Sequence, residues 1–100
     1  MAAYFIADGF VKNRDALEKF RARAAPSVTQ YGGHYLVRAE TVERLEGSWS
    51  PQLVIVIEFP DIERARIWYR SAEYAAALSV RDDALGRHLI LVDGVNSAAR

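Results

Sequence analysis

Leu53-Val54-Ile55-Val56-Ile57-Glu58-Phe59 decides the fold. The run is β-branched and aromatic, and Pro60 follows it, so it reads as a strand. Side chains alternate across a strand, which puts Leu53, Ile55, Ile57 and Phe59 on one side and Val54 and Val56 on the other. Gln52 and Glu58 mark the ends of that second side. An antiparallel strand with one wet face alternates apolar and polar residues. This one does not. His88 to Val95 reads as the last strand and behaves alike, with Leu89 and Leu91 on one side and Ile90 and Val92 on the other. Both faces of the sheet are therefore expected to be buried.

Working outward, residues 3–11 read as a first strand that Lys12-Asn13 closes. Asn13 is a good helix N-cap, and Leu17, Phe20, Ala24, Val28 and Tyr31 then recur at helical spacing. Pro26 has no backbone N–H to donate, so a kink or break is expected near Ala25. Gly32 is a candidate left-handed cap. His34 to Ala39 reads as a second strand. Residues 40–52 read as an irregular or hairpin-like insertion, with Thr41–Glu46 a candidate short strand. Asp61 caps a helix whose inner face carries Ile62, Ala65, Trp68 and Tyr69. Ser71 caps another, which uses Tyr74, Leu78 and Leu85 and which Gly86 ends. Residues 1–95 form a single domain in this reading, and 96–100 are a small polar tail expected to fray.

The order is β-α-β-β-α-β, the split βαβ arrangement of a ferredoxin-like α+β domain, with a four-stranded antiparallel sheet in the order 4-1-3-2. Right-handed crossovers place the helices on one face of that sheet. The helices cover only that face, so a second copy packing sheet on sheet is the simplest cover for the other, and a homodimer is expected.

Composition narrows the function. The chain has 100 residues, 51% of them hydrophobic, enough for one core. Thirteen basic residues balance thirteen acidic ones, so no global field draws nucleic acid or an anionic membrane. Arginines outnumber lysines but are scattered. There is no cysteine, which removes disulfides and thiolate chemistry. The longest aliphatic run, Leu53 to Ile57, is far short of the ~20 residues that span a bilayer. No signal peptide is read at the N-terminus, and a cytoplasmic location is expected. Two histidines without cysteine disfavour a metal, and no cofactor is expected. Gly32-Gly33 follows a helix instead of preceding one, so no phosphate loop is present, and there is no Gly-x-Ser-x-Gly elbow.

Some side chains remain as candidates for chemistry. His34 and Arg38 lie on the same side of the second strand, with Leu36 between them, and pairing Ala39 near Leu53 brings Glu58 to that side. A carboxylate beside His34 would orient it as a general base. The same three residues would serve equally as an ion pair on the sheet or at a dimer seam. His34 and His88 fall on opposite edges of the sheet, roughly 14 Å apart at ~4.8 Å per strand, too far to share a metal. Tyr31, Trp68, Tyr69 and Tyr74 either line a pocket for an aromatic or polyketide-like ligand or are plain core. Trp49 is a plug over its own core, an interface anchor or a pocket rim. Asp8, midway along the first strand, either faces solvent or pairs with an arginine.

Three stretches together carry a family resemblance: Tyr31-Gly32-Gly33-His34-Tyr35-Leu36-Val37-Arg38; Leu45-Glu46-Gly47-Ser48-Trp49; and Glu58-Phe59-Pro60 followed by Trp68-Tyr69-Arg70-Ser71-Ala72-Glu73-Tyr74. With them the chain resembles the bacterial domain-of-unknown-function family 1330, in the dimeric α+β barrel superfamily, over about residues 4–95. The resemblance implies two ferredoxin-like subunits packed sheet to sheet with helices outside. It implies no settled activity, because the superfamily mixes cofactor-free monooxygenases, isomerases, haem-degrading enzymes and stress-response proteins. In several of those groups a small-molecule pocket lies between sheet and helices. Two functions are carried forward: binding of a small organic molecule, with or without cofactor-free monooxygenase or isomerase chemistry, and a non-catalytic dimeric binding or structural module.

Overall fold

The computed structural model describes residues 1–95. Its elements are β1 (Ala3–Val11), α1 (Arg14–Gln30), β2 (His34–Ala39), β3 (Leu53–Phe59), α2 (Ile62–Tyr69), α3 (Ala72–Ala84) and β4 (Leu85–Asp93). The four strands form one antiparallel sheet in the order β2-β3-β1-β4, as expected. The expected frayed tail, 96–100, lies outside the described residues. No helix among the described residues is long and apolar enough to cross a membrane.

The alternation in β3 sorts its two sides. Leu53, Ile55, Ile57 and Phe59 are buried under the helices together with Ala3, Phe5 and Ala7 of β1. Leu17, Phe20, Ala24 and Val28 of α1, Ala65 and Trp68 of α2, and Tyr74 and Ala77 of α3 close the layer from above. Trp68 is 1% exposed, and its indole N–H donates to Ser27 Oγ at 2.9 Å. Ser27 in turn donates to the Ala24 carbonyl at 2.6 Å, so both polar groups of this buried pair are satisfied. Phe5, Phe59, Tyr69 and Tyr74 surround Trp68 with ring centroids 4.1–6.4 Å away.

The caps follow the sequence. Asn13 Oδ1 accepts from Ala16 N, Asp61 Oδ1 from Arg64 N, and Ser71 Oγ from Tyr74 N. Gly32 has φ 86° and donates to the Thr29 carbonyl, while Gly33 donates to that of Val28. These two hydrogen bonds end α1, and only glycine takes the left-handed position at no steric cost.

Four expectations are corrected. The helix runs unbroken from Arg14 through Pro26 to Gln30. Pro26 and Ala22 both face solvent, so the carbonyl that Pro26 leaves unpaired can be hydrated. Thr41–Glu46 forms no strand; the whole stretch 41–50 is exposed and irregular. The last helix stops at Ala84, so Leu85 and Gly86 belong to β4, where they pair with Val11 and Phe10. Gly86 is not a helix stop: a Cβ there would sit 2.6 Å from the Phe10 ring. Finally, Leu36 is a bulge. His34 pairs with Glu58 and Tyr35 with Ile57, but Val37 then pairs with Val56 and Arg38 with Ile55. One extra residue turns every later side chain of β2 to the opposite face.

The molecule is a slab measuring 42 × 39 × 15 Å. Fifteen ångströms accommodate one sheet and one layer of helices, spaced as packed layers are. Its radius of gyration, 14.1 Å, exceeds the ~13 Å of a rounder domain of this length. The second face of the sheet is open.

Candidate functional sites

The register fixes what stands on the open face. One row runs His34, Glu58, Tyr4, Val92 across the sheet. The middle row is Val37, Val56, Ile6, Ile90, wholly apolar, with Ile90 56% exposed. The third is Ala39, Val54, Asp8, His88. A greasy stripe is thus flanked at diagonal corners by two histidine–carboxylate pairs.

The first pair was legible. His34 Nε2 lies 2.9 Å from Glu58 Oε1, and both groups remain partly in water. Arg38 is not with them, which corrects the expectation. The Leu36 bulge sends it to the other face, where its guanidinium stands 4.6 Å above the Tyr35 ring and lines a charged groove with Glu18, Arg21 and Glu40.

The second pair was not foreseen. His88 Nδ1 lies 3.2 Å from Asp8 Oδ1, and the Trp49 indole N–H donates to Asp8 Oδ2 at 3.0 Å. The Trp49 bond is the main cause holding the Asp8 carboxyl below its ordinary range; partial burial opposes it, and His88 adds to the lowering. Trp49 is neither buried plug nor free loop residue: it is 66% exposed and tied back to the sheet through Asp8. Beneath it lies a cleft of about 280 Å³, walled by Asp8, Phe10, Trp49, Pro51 and His88 among others. The loop is moored there by Gln52 N, which donates to the Gly9 carbonyl. Asp8 and His88 are 80 positions apart, and only the β1–β4 register joins them. With the strand order already written, pairing Ile6 with Ile90 is the signal that would have found them. It also answers the question left open for Asp8: its partners are a histidine and a tryptophan, not an arginine.

The remaining aromatic candidates separate. Trp68 is core. Tyr69 is 40% exposed, stacks on Phe5 and lines a cleft of about 310 Å³ with Arg66, Arg70, Leu89, Ile90 and Leu91. Tyr31 donates its hydroxyl to Glu73 Oε1 at 2.7 Å. That bond raises the Tyr31 hydroxyl and lowers Glu73.

Away from the Tyr69 cleft, which opens between α2 and β4, the space between sheet and helices is small. A cavity of about 20 Å³ lies among Phe20, Tyr35, Ile55, Trp68, Tyr74 and Arg87, room for about one water molecule. Arg87 projects into this layer, donates to the Tyr74 hydroxyl and faces the Phe20 ring at 5.4 Å. Its Nε is buried without a partner. Burial raises the Tyr35 hydroxyl nearby. Among the described residues, no three histidine, aspartate or glutamate side chains gather as a metal site would require.

Sheet order, helices on one face and the open second face define a ferredoxin-like α+β domain. A family model described as a domain of unknown function, DUF1330, matches residues 2–95, and the chain belongs to that family. Solved structures share the fold. A protein of unknown function from Rhodopseudomonas palustris is 16% identical, with TM-score 0.78 over 95% of this chain and 83% of that one. SnoaB, a cofactor-independent oxygenase from Streptomyces nogalater, is 13% identical, with TM-score 0.65 over 99% and 98%. A dimeric ferredoxin-like protein of unknown function from Bacteroides fragilis is 8% identical, with TM-score 0.53 over 93% and 96%. At these identities the likeness is one of fold. No curated protein matches the chain by sequence.

Proposed function

We propose that the chain is a homodimeric α+β barrel that binds a small, flat organic molecule in the cleft under Trp49. The observation that carries the dimer is the open face. Four strands ~4.8 Å apart and ~7 residues long offer roughly 450 Å² per copy, or about 900 Å² in a pair. A stable interface buries at least ~1,000 Å², so the sheets alone fall slightly short. The loop after β2 supplies apolar surface to add, with Leu45 83% exposed and Val42 also exposed. The Bacteroides fragilis protein of the same fold is dimeric, which supports the same reading here.

The cleft favours an aromatic ligand because Trp49, Phe10 and Pro51 wall it while Asp8 and His88 supply polar groups. His34 and Glu58 then act as a pair on the seam between the sheets. Cofactor-free chemistry, as in the SnoaB oxygenase of the same fold, is compatible with this site. A second reading, a binding or structural module without chemistry, is favoured by the small size, about 20 Å³, of the cavity around Arg87.

Native mass spectrometry of the gently purified chain tests the proposal. The expected result is twice the subunit mass, with an organic adduct lost on activation and absent from Trp49→Ala. A bare single subunit would contradict both parts. A bare dimer would favour the module.

A further inference from the structure

We infer that His88, held by Asp8, is a general base that removes a proton from carbon on a flat, ring-conjugated substrate seated against Trp49. This rests on the small-molecule reading above and goes further by naming the reacting group and the substrate class.

Three independent geometric facts converge. First, Asp8 reaches the Nδ1 side of the imidazole, at 3.2 Å. An ionised carboxylate only accepts hydrogen bonds, so it selects the tautomer with the proton on Nδ1 and leaves the Nε2 lone pair free. His34 is held the opposite way, through Nε2. Second, Trp49 donates to the other oxygen of the same carboxylate at 3.0 Å. Asp8 is thereby held at both oxygens, and a carboxylate so held orients the imidazole ring. Third, the cleft of about 280 Å³ runs beside His88, with the rings of Trp49 and Phe10 among its walls. Its size is that of a one- or two-ring molecule, and its walls suit a flat one.

The reaction class follows from what the site holds. A C–H bond next to a ring-conjugated carbonyl breaks, His88 Nε2 takes the proton, and the electron pair moves into an enolate. Return of that proton to another carbon of the conjugated system completes an isomerisation, with no oxidant or reductant consumed. The open face carries this dyad, so a second copy packed on that face would close the site against water.

The probe is 5-nitrobenzisoxazole, a flat aromatic carbon acid. Removal of its ring C–H proton expels the ring oxygen as phenolate while the carbon–nitrogen bond becomes a nitrile, so the step balances without a co-reactant and is followed by absorbance. The intact chain is expected to open it with saturation at least about tenfold faster than an equal concentration of free imidazole, the low side of general-base contributions. His88→Ala and His88→Gln remove that excess, and Asp8→Asn lowers it. Quenching of the exposed Trp49 indole reports probe binding separately, with Trp49→Phe as its blank. Nitrogen NMR of the folded protein reads the neutral tautomer of His88 directly and is expected to find the proton on Nδ1. An Nε2–H tautomer, or an excess that survives in His88→Ala, overturns the assignment. An excess lost in His34→Ala but kept in His88→Ala also overturns it. Quenching that saturates without His88-dependent turnover overturns the base while the small-molecule reading stands. Absence of both binding and turnover overturns the two together.

Discussion

The two faces of one sheet differ in what completes them. On the helix side, Phe5, Ile55, Ile57 and Phe59 meet side chains supplied by their own chain, and the buried Trp68 indole finds its partner in Ser27. On the other side, Ile6, Val37, Val56 and Ile90 form an equally apolar row that faces away from the helices. The difference teaches that a strand can be more apolar than the layers of its own chain require. A two-layer monomer needs only one greasy face. This chain has two, with its titratable pairs at the margins of the uncovered one.

Substitutions on the two faces should therefore fail in different ways. The largest effect belongs to the covered side. Trp68→Ala removes a fully buried indole and its bond to Ser27 and is expected to cost about 3–5 kcal/mol in urea unfolding. A loss below 1 kcal/mol would mean the helix layer does not depend on that packing. Ile90→Asp is next: it places a charge in the middle of the open row. On the proposal of a homodimer, it should abolish self-association while leaving the far-ultraviolet circular dichroism of the subunit unchanged, and its melting temperature should cease to vary with concentration. Loss of secondary structure instead would show that Ile90 serves its own subunit.

Gly32→Ala sharpens the contrast from outside both faces. At φ 86° a side chain is strained, so a loss of about 1 kcal/mol is expected by thermal unfolding, independent of concentration. The smallest structural effect should come from Glu58→Gln. An ion pair this exposed contributes 0–1 kcal/mol to subunit stability. If the pair sits in a seam, the same change weakens self-association measurably in sedimentation. Unchanged association would remove His34–Glu58 from the interface.

The Asp8 carboxylate adds a pH dependence. Its folded pKa is lowered, first by the Trp49 indole bond. A group depressed on folding contributes stability above its unfolded pKa, ~3.9, and that contribution is lost as pH falls through the lower folded value. Trp49→Phe should move the Asp8 titration upward, read by carbon NMR of the carboxyl, and narrow that acid window. An unmoved titration would mean that the indole bond is absent in solution.

Much of the fold was legible because local chemistry and tertiary need agreed. The strands β1 and β3 and the caps Asn13, Asp61 and Ser71 read directly from propensity and side-chain oxygen placement. Where they disagreed, the sequence misled. Gly86 looks like a helix stop and is a space left for the Phe10 ring. Pro26 looks like a break, yet it sits on the solvent side of α1, where the freed carbonyl is not stranded. The site was less legible still. His34–Glu58 was found because β2 and β3 are neighbours in the chain. Arg38 was misplaced because nothing local marks Leu36 as a bulge. Asp8, Trp49 and His88 come from three distant segments, and no spacing rule joins them. The filled interior around Arg87 depends on side-chain volumes that pattern alone does not carry.

The claim beneath all of this is that a second copy covers the open face. Sedimentation equilibrium of the chain from sub-micromolar to tens of micromolar tests it most directly. A dimer mass that gives way to monomer on dilution, and that Ile90→Asp abolishes, is the expected result. A single subunit that stays monomeric and soluble across that range would contradict it.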